Sequence, residues 1–272
     1  MGMASNKPFN FYDDRIASNY ENQRKNDSWW SWEDEKLSDF LGIIKENEYL
    51  LDAPSGTGRI LKLFPHNEGF IKSVKFHSFL LDGALSMITE SVHKNSDKNK
   101  NHFICADLEK IPLKKGVFEY TTCFRLLHLL NDSQVELILE NLLSCTKGKI
   151  LLQVFNLEYD KIHLVIQNSK AKIKTSSSFL LKISNLLISI FQYIFYVFRI
   201  NQGLRPVRNF LRKRDGNPNY LDTTFNHKYT SIERIINRNN FKIVRIDKFI
   251  KSNLSFSPIY VTSILWIERI KN

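Results

Sequence analysis

The stretch Tyr49-Leu-Leu-Asp-Ala-Pro-Ser-Gly-Thr-Gly-Arg59 decides how the chain is read. An apolar strand ends at Asp52, and the turn Gly56-Thr57-Gly58 leads into a helix-like run. Glycine lets backbone approach a ligand closely, and a helix N-terminus offers N–H groups to a ligand's polar atoms. A dinucleotide fingerprint, G-x-G-x-x-G, would need a third glycine where Leu61 stands. A nicotinamide enzyme is therefore disfavoured.

Working outward, short apolar runs at residues 49–53, 79–81, 103–106, 118–123 and 149–155 read as buried strands. The segments between them carry helical spacing or turn residues, which is the alternation of a doubly wound α/β sheet. Val135, Ile138, Leu139 and Leu142 form one helical face over 132–143, capped by Asn131 or Asp132. The tract 93–102, HKNSDKNKNH, has no apolar period and is expected as an exposed loop. A helix over 230–239, opened by a capping box from Thr230 to Glu233, and strands near 241–249 and 259–267 close the chain. Residues 156–228 break the alternation. The expected organisation is a helical leader or cap over 1–40, a core over 41–155, a helical insertion over 156–228 and closing elements over 229–272.

Composition limits the alternatives. With 272 residues, 43% of them hydrophobic, the chain can bury one α/β domain with an insertion. Cys105, Cys123 and Cys145 form no close pair, which argues against a disulfide framework and a metal site and fits a reducing cytoplasm. The start, MGMASNKPFN, lacks a signal-peptide pattern, and Asn6 stands where myristoylation requires Ser or Thr. The net charge of +11 is uneven: residues 1–160 hold 19 Lys/Arg and 23 Asp/Glu, whereas 161–272 hold 20 and 5. The basic half suits an anionic partner (membrane surface, phosphorylated acceptor or nucleic acid), or serves solubility alone.

The segment 49–59 resembles motif I of class I S-adenosylmethionine (SAM)-dependent methyltransferases, in their small-molecule, UbiE-like (type 11) branch. Three more stretches follow in the family's order. Phe79-Leu-Leu-Asp82, with Met87 after it, resembles the second strand, whose acidic end binds the ribose hydroxyls. Cys105-Ala-Asp-Leu-Glu-Lys-Ile-Pro112 resembles the A-D-x-x-x-L-P stretch that meets the adenine through an Asp side chain and the next backbone N–H. Phe118 to Leu130 resembles the fourth-strand motif. The resemblance implies a Rossmann-like doubly wound sheet of seven strands, with the helical insertion between strands 5 and 6. It implies S-adenosyl-L-methionine as cofactor, held by Asp52, Pro54, Gly56, Thr57, Gly58, Asp82, Met87, Asp107, Leu108 and Phe124. Pro54, Glu119, Leu129 and Asn240 depart from the family pattern, and the 30-residue spacing from Asp52 to Asp82 exceeds its common one.

Methyl transfer needs alignment and, for a hydroxyl acceptor, a proton taker. His128, just past the fourth strand, is the first candidate base and His227 the second; each could instead be a packed histidine. Arg125 could hold an acidic acceptor. Phe11 to Tyr20 resembles the family's Y-D-x-x-A-x-x-Y leader, which places Tyr12 and Tyr20 over the site. The tryptophans at 29, 30 and 32 either line the acceptor pocket or pack on the domain. The fourth-strand region lacks an Asn/Asp-Pro-Pro-aromatic motif, and no Pro precedes Cys123, so a nucleic-acid substrate is disfavoured. Within the insertion, Lys182, Asn185, Ser189, Gln192, Tyr196 and Arg199 draw a polar stripe along an apolar helix, with Arg205 to Arg214 beyond it. The stretch 179–214 thus reads as a lid or core helix, a helix in an anionic membrane interface, or a span. The implied protein methylates a small or lipid-linked acceptor, in the cytoplasm or peripherally on the membrane's cytoplasmic face. The rival reading is a non-catalytic SAM-fold protein acting as a scaffold or partner subunit.

Overall fold

Tyr49–Asp52 (β1) is hydrogen-bonded in parallel to His77–Asp82 (β2) on one side and to Phe118–Cys123 (β4) on the other, so the chain reverses direction across the sheet at this strand. The structure is a computed structural model that describes residues 12–20, 22, 28–63, 76–94, 100–155, 183, 227–251 and 260–270. Asn101–Cys105 (β3), Thr146–Phe155 (β5), Phe241–Lys251 (β6) and Tyr260–Arg269 (β7) complete a seven-stranded sheet in the order β3-β2-β1-β4-β5-β7-β6. Among the described strands, β7 runs opposite to the others, antiparallel to both β5 and β6. This is the doubly wound α/β sheet expected from the alternation, with the crossover between β5 and β6 occupied by residues 156–228. That insertion, including 179–214, lies outside the described residues apart from 183, 227 and 228. Among the described residues no helix is long and apolar enough to cross a membrane.

Strand alternation supplies both faces of the core. Leu51, Leu81, Phe118, Ile150 and Leu152 pack with the apolar faces of Asp132–Cys145 (α4) and Tyr229–Arg238 (α5). Leu50, Leu80, Tyr120, Leu151 and Ile264 pack on the other side with Leu37, Phe40 and Leu41 of Ser28–Leu41 (α2). The leader therefore contributes to the layer on this side, together with Ile60 and Leu61. A shorter leader helix, Asp14–Asn19 (α1), lies on Leu85–Lys94 (α3). Burial on both faces explains why β1 and β2 read as continuous apolar runs and not as alternating ones.

Several boundaries differ from expectation for identifiable reasons. Asn131 caps α4 and shares a reciprocal capping box with Gln134. Thr230 and Glu233 form no such box: Lys228 is the N-cap of α5 without a side-chain bond, and Glu233 accepts the Tyr229 hydroxyl. Strand β5 starts at Thr146, directly after α4, because its polar opening is satisfied locally: Thr146 bonds Thr121, and Lys147 pairs with Glu119. The tract 93–102 contributes its first two residues to α3 and its last two to β3; residues 95–99 lie outside the described ones.

Gly148 on β5 lies so close to the backbone of β4 that an added Cβ would collide with the Glu119 carbonyl oxygen. Gly148→Ala is expected to lower stability by about 2 kcal/mol or more, read from denaturant unfolding of both proteins.

Candidate functional site

The turn after β1 is held open by three hydrogen bonds. Ala53 N–H donates to the Thr122 carbonyl on β4 (3.0 Å), Ser55 N–H to the Leu81 carbonyl on β2 (2.9 Å), and Gly56 N–H to Oδ2 of Asp82 (2.9 Å). The turn thus bridges both neighbours of β1 at their carboxyl ends. Gly56 and Gly58 have φ of 55° and 77°, the left-handed region that glycine adopts without steric cost. A 3-10 helix, Arg59–Leu63, follows, as the helix-like run after the turn led one to expect.

Beside this turn a partly open cleft occupies the crevice where strand order reverses. Asp52, Pro54, Gly56 and Thr57 line it from β1 and its turn, Asp82 and Met87 from β2 and α3, and Asp107 and Leu108 from the segment after β3. Phe124 and Arg125 line the β4 side, and Tyr12 and Tyr20 come from the leader. Gly58 is not among the lining residues; it shapes the turn, donating to the Ser55 carbonyl and accepting from Leu61. The segment after β3 is fixed from α4: Asn141 Nδ2 donates to the carbonyls of Leu108 (2.9 Å) and Glu109 (3.1 Å), while Asp107 accepts the Glu109 N–H.

Two buried carboxylates dominate the floor. Burial pushes Asp52 up to about 7, partly opposed by the Thr122 hydroxyl that donates to its Oδ1 (2.6 Å) and reinforced by the nearby negative charge of Asp82. Asp82 is also raised by burial, against hydrogen bonds from the backbone of Ala84, Gly56 and Gly83. Desolvated carboxylates facing a cleft favour a cationic ligand, because a positive charge restores what burial removed.

Of the remaining candidates, Arg125 reaches the cleft and the two histidines do not line it. His128 sits in the 3-10 helix Leu127–Leu129, its ring edge-on to Phe155 at 4.7 Å, and does not line the cleft. His227 is 2% exposed, with Nδ1 2.9 Å from Asp132 Oδ1 and Nε2 2.7 Å from the Leu127 carbonyl. Both ring nitrogens face acceptors within the fold, so His227 fastens the chain emerging from the insertion to the turn after β4 and is not placed as a base. Arg125 lines the cleft, but its guanidinium is bonded to Glu33 through Nε (3.1 Å) and Nη2 (2.8 Å); an acidic acceptor would meet it already paired.

The sequence reading missed Arg59, Glu33 and Gln153. Trp30, Glu33 and Leu37 recur at helical spacing on one face of α2, a usable signal for Glu33 once that face is known to meet the cleft. The tryptophans divide: Trp30 lines the cleft, Trp29 packs on Phe155 and Trp32 on Phe249.

No family model and no curated protein sequence matches the chain. Solved structures do. Magnesium protoporphyrin IX methyltransferase from Synechocystis with bound SAM is similar at 14% identity and a TM-score of 0.51, covering 95% of this chain and 98% of that one. A SAM-dependent methyltransferase from Methanosarcina mazei is similar at 9% and 0.51, covering 85% and 96%. The YcgJ protein of Bacillus subtilis is similar at 11% and a TM-score of 0.53, covering 88% and 99%. The fold is that of the class I methyltransferases. At these identities the likeness is one of architecture, and it agrees with the strand order and the antiparallel β7.

The raised Asp52 has a consequence for stability. Its folded-state value of about 7 lies above the ordinary 3.8, so the folded chain binds this proton more tightly than the unfolded one. The ligand-free protein should then lose stability as pH rises from about 4 to about 7. Asp52→Asn, which can still accept from Thr122, is expected to flatten that slope and raise stability at pH 8 by on the order of 2 kcal/mol, measured by denaturant melts across pH.

Proposed function

We propose that the protein is a SAM-dependent methyltransferase of the small-molecule branch, transferring a methyl group to oxygen of a small or lipid-linked acceptor. The observation that carries this reading is the cleft itself, at the carboxyl ends of the strands and the point of strand-order reversal, with buried carboxylates at the ends of β1 and β2. The residues present fit the cofactor. Asp82 offers two acceptor oxygens for a vicinal diol, and the anchored Asp107–Leu108 segment offers the edge an adenine needs. Asp52 and Asp82 supply negative charge toward a molecule that carries a sulfonium and an ammonium group.

SAM supplies an electrophilic methyl group when bound. The chain's part is alignment in a cleft that Phe124, Leu126, Leu129 and Met87 line with apolar surface. A hydroxyl acceptor also gives up a proton, and His128, adjacent in sequence to Leu129 of the cleft wall, is the residue to take it. The basic second half of the chain supports an acceptor with an anionic or lipid-linked portion. One observation favours the second reading, a non-catalytic SAM-fold scaffold or partner subunit: neither candidate histidine lines the cleft.

Asp82→Asn is expected to weaken SAM binding by about tenfold or more, since hydrogen bonds to charged groups contribute roughly 1.5–3 kcal/mol. His128→Gln should keep wild-type SAM affinity while lowering turnover by about 10²-fold, followed as S-adenosylhomocysteine release with phenolic and lipid-linked acceptors. Wild-type turnover in His128→Gln dismisses the base role, and a wild-type protein that binds SAM but releases no product with any acceptor moves the account to the scaffold.

A further inference from the structure

Glu33 is fully buried, yet it comes from the leader helix and contacts residues on three other elements. Its Oε2 accepts Arg59 Nη1 (2.7 Å), Arg125 Nη2 (2.8 Å) and Arg125 Nε (3.1 Å). Its Oε1 accepts Nε2 of Gln153 on β5. Gln153 in turn accepts the backbone N–H of Arg125 through Oε1 (2.9 Å), at a residue with φ of 58°. A non-glycine residue in that region is strained and persists only where its surroundings over-determine it. Here one glutamine holds both the strained backbone and the carboxylate that binds the same residue's side chain.

The aromatic partner is Trp30, one helical turn before Glu33. The Arg59 and Arg125 guanidinium carbons lie 3.6 and 4.3 Å from its ring centroid. Arg59 also bonds the Trp30 carbonyl and the Asp34 carboxylate. Two carboxylates thus balance two guanidiniums, as burial of charge requires. Trp30, Arg59 and Arg125 line the cleft; Glu33 and Gln153 do not.

We infer that Glu33 is a positioning residue, setting Arg59, Arg125 and Trp30 as one rigid wall of the cleft and so making ligand binding depend on the leader helix. This rests on reading the cleft as the SAM site. A merely structural Glu33 would neutralise buried charge and nothing more, and restoring charge balance would then restore the protein.

The test compares wild type, Glu33→Gln, Arg125→Met and the double variant Glu33→Gln with Arg125→Met by thermal melting, SAM calorimetry and tryptophan emission. Glu33→Gln is expected to melt lower, to bind SAM about tenfold more weakly and to shift the emission to which Trp30→Phe assigns Trp30's share. Because Arg125 itself lines the cleft, the double variant is read against Arg125→Met alone: it should regain thermal stability yet bind SAM more weakly than that single variant. Recovery of stability together with the affinity of Arg125→Met overturns the inference, as does wild-type affinity and emission in Glu33→Gln. If Glu33→Gln does not fold, Glu33→Asp, which keeps the charge and shortens its reach, carries the test: weaker SAM binding at wild-type melting supports the role, and unchanged affinity overturns it. A wild-type protein that fails to bind SAM refutes the proposed function instead, and the ligand-free Trp30 emission shift between wild type and the Glu33 variants then decides the positioning role.

Discussion

Reversal of strand order between β1 and β4 forces a crevice at the carboxyl edge of the sheet, because the connections on either side leave in opposite directions. Everything assigned to the site depends on how that crevice is held open. The turn after β1 is bonded to β4 through Ala53 and to β2 through Ser55 and Gly56, and the Gly56 bond ends on the Asp82 carboxylate. A single short segment therefore couples sheet geometry to the placement of both buried acids.

That coupling costs stability. Two carboxylates taken out of water near each other are held by Thr122 and a few backbone N–H groups, while burial still raises both. A chain selected only for folding would place apolar or amide side chains there. Retaining acids where the ligand-free fold pays for them is the physical argument that a cation completes the cleft. The opposite wall follows the other logic: Glu33 and Asp34 neutralise Arg59 and Arg125 within the protein, so that side contributes shape and order and little net charge.

Much of this architecture was legible because it obeys local rules. Strands buried on both faces read as apolar runs, α4 shows its face in Val135, Ile138, Leu139 and Leu142, and the glycine turn and acidic strand ends stand at fixed places along the chain. What escaped depends on contacts remote in sequence. His227 reads as a candidate base until Asp132 and the Leu127 carbonyl, 95 and 100 residues away, occupy both its nitrogens. Arg125 reads as an anion site until Glu33, 92 residues earlier, claims its guanidinium. The Thr230–Glu233 box fits the pattern, but the Tyr229 hydroxyl takes Glu233. Local spacing nominates side chains, and tertiary partners decide which remain available.

The central claim is that the cleft takes SAM as the cation its buried acids lack. Calorimetric titration with SAM near pH 6, repeated in two buffers of different ionisation enthalpy, measures binding and proton release together. The account predicts binding at submillimolar SAM with proton release, because a bound cation lowers Asp52 from its value of about 7, and affinity that rises as pH approaches 7. Absence of binding, or binding with no proton released at any pH between 5 and 8, would contradict it.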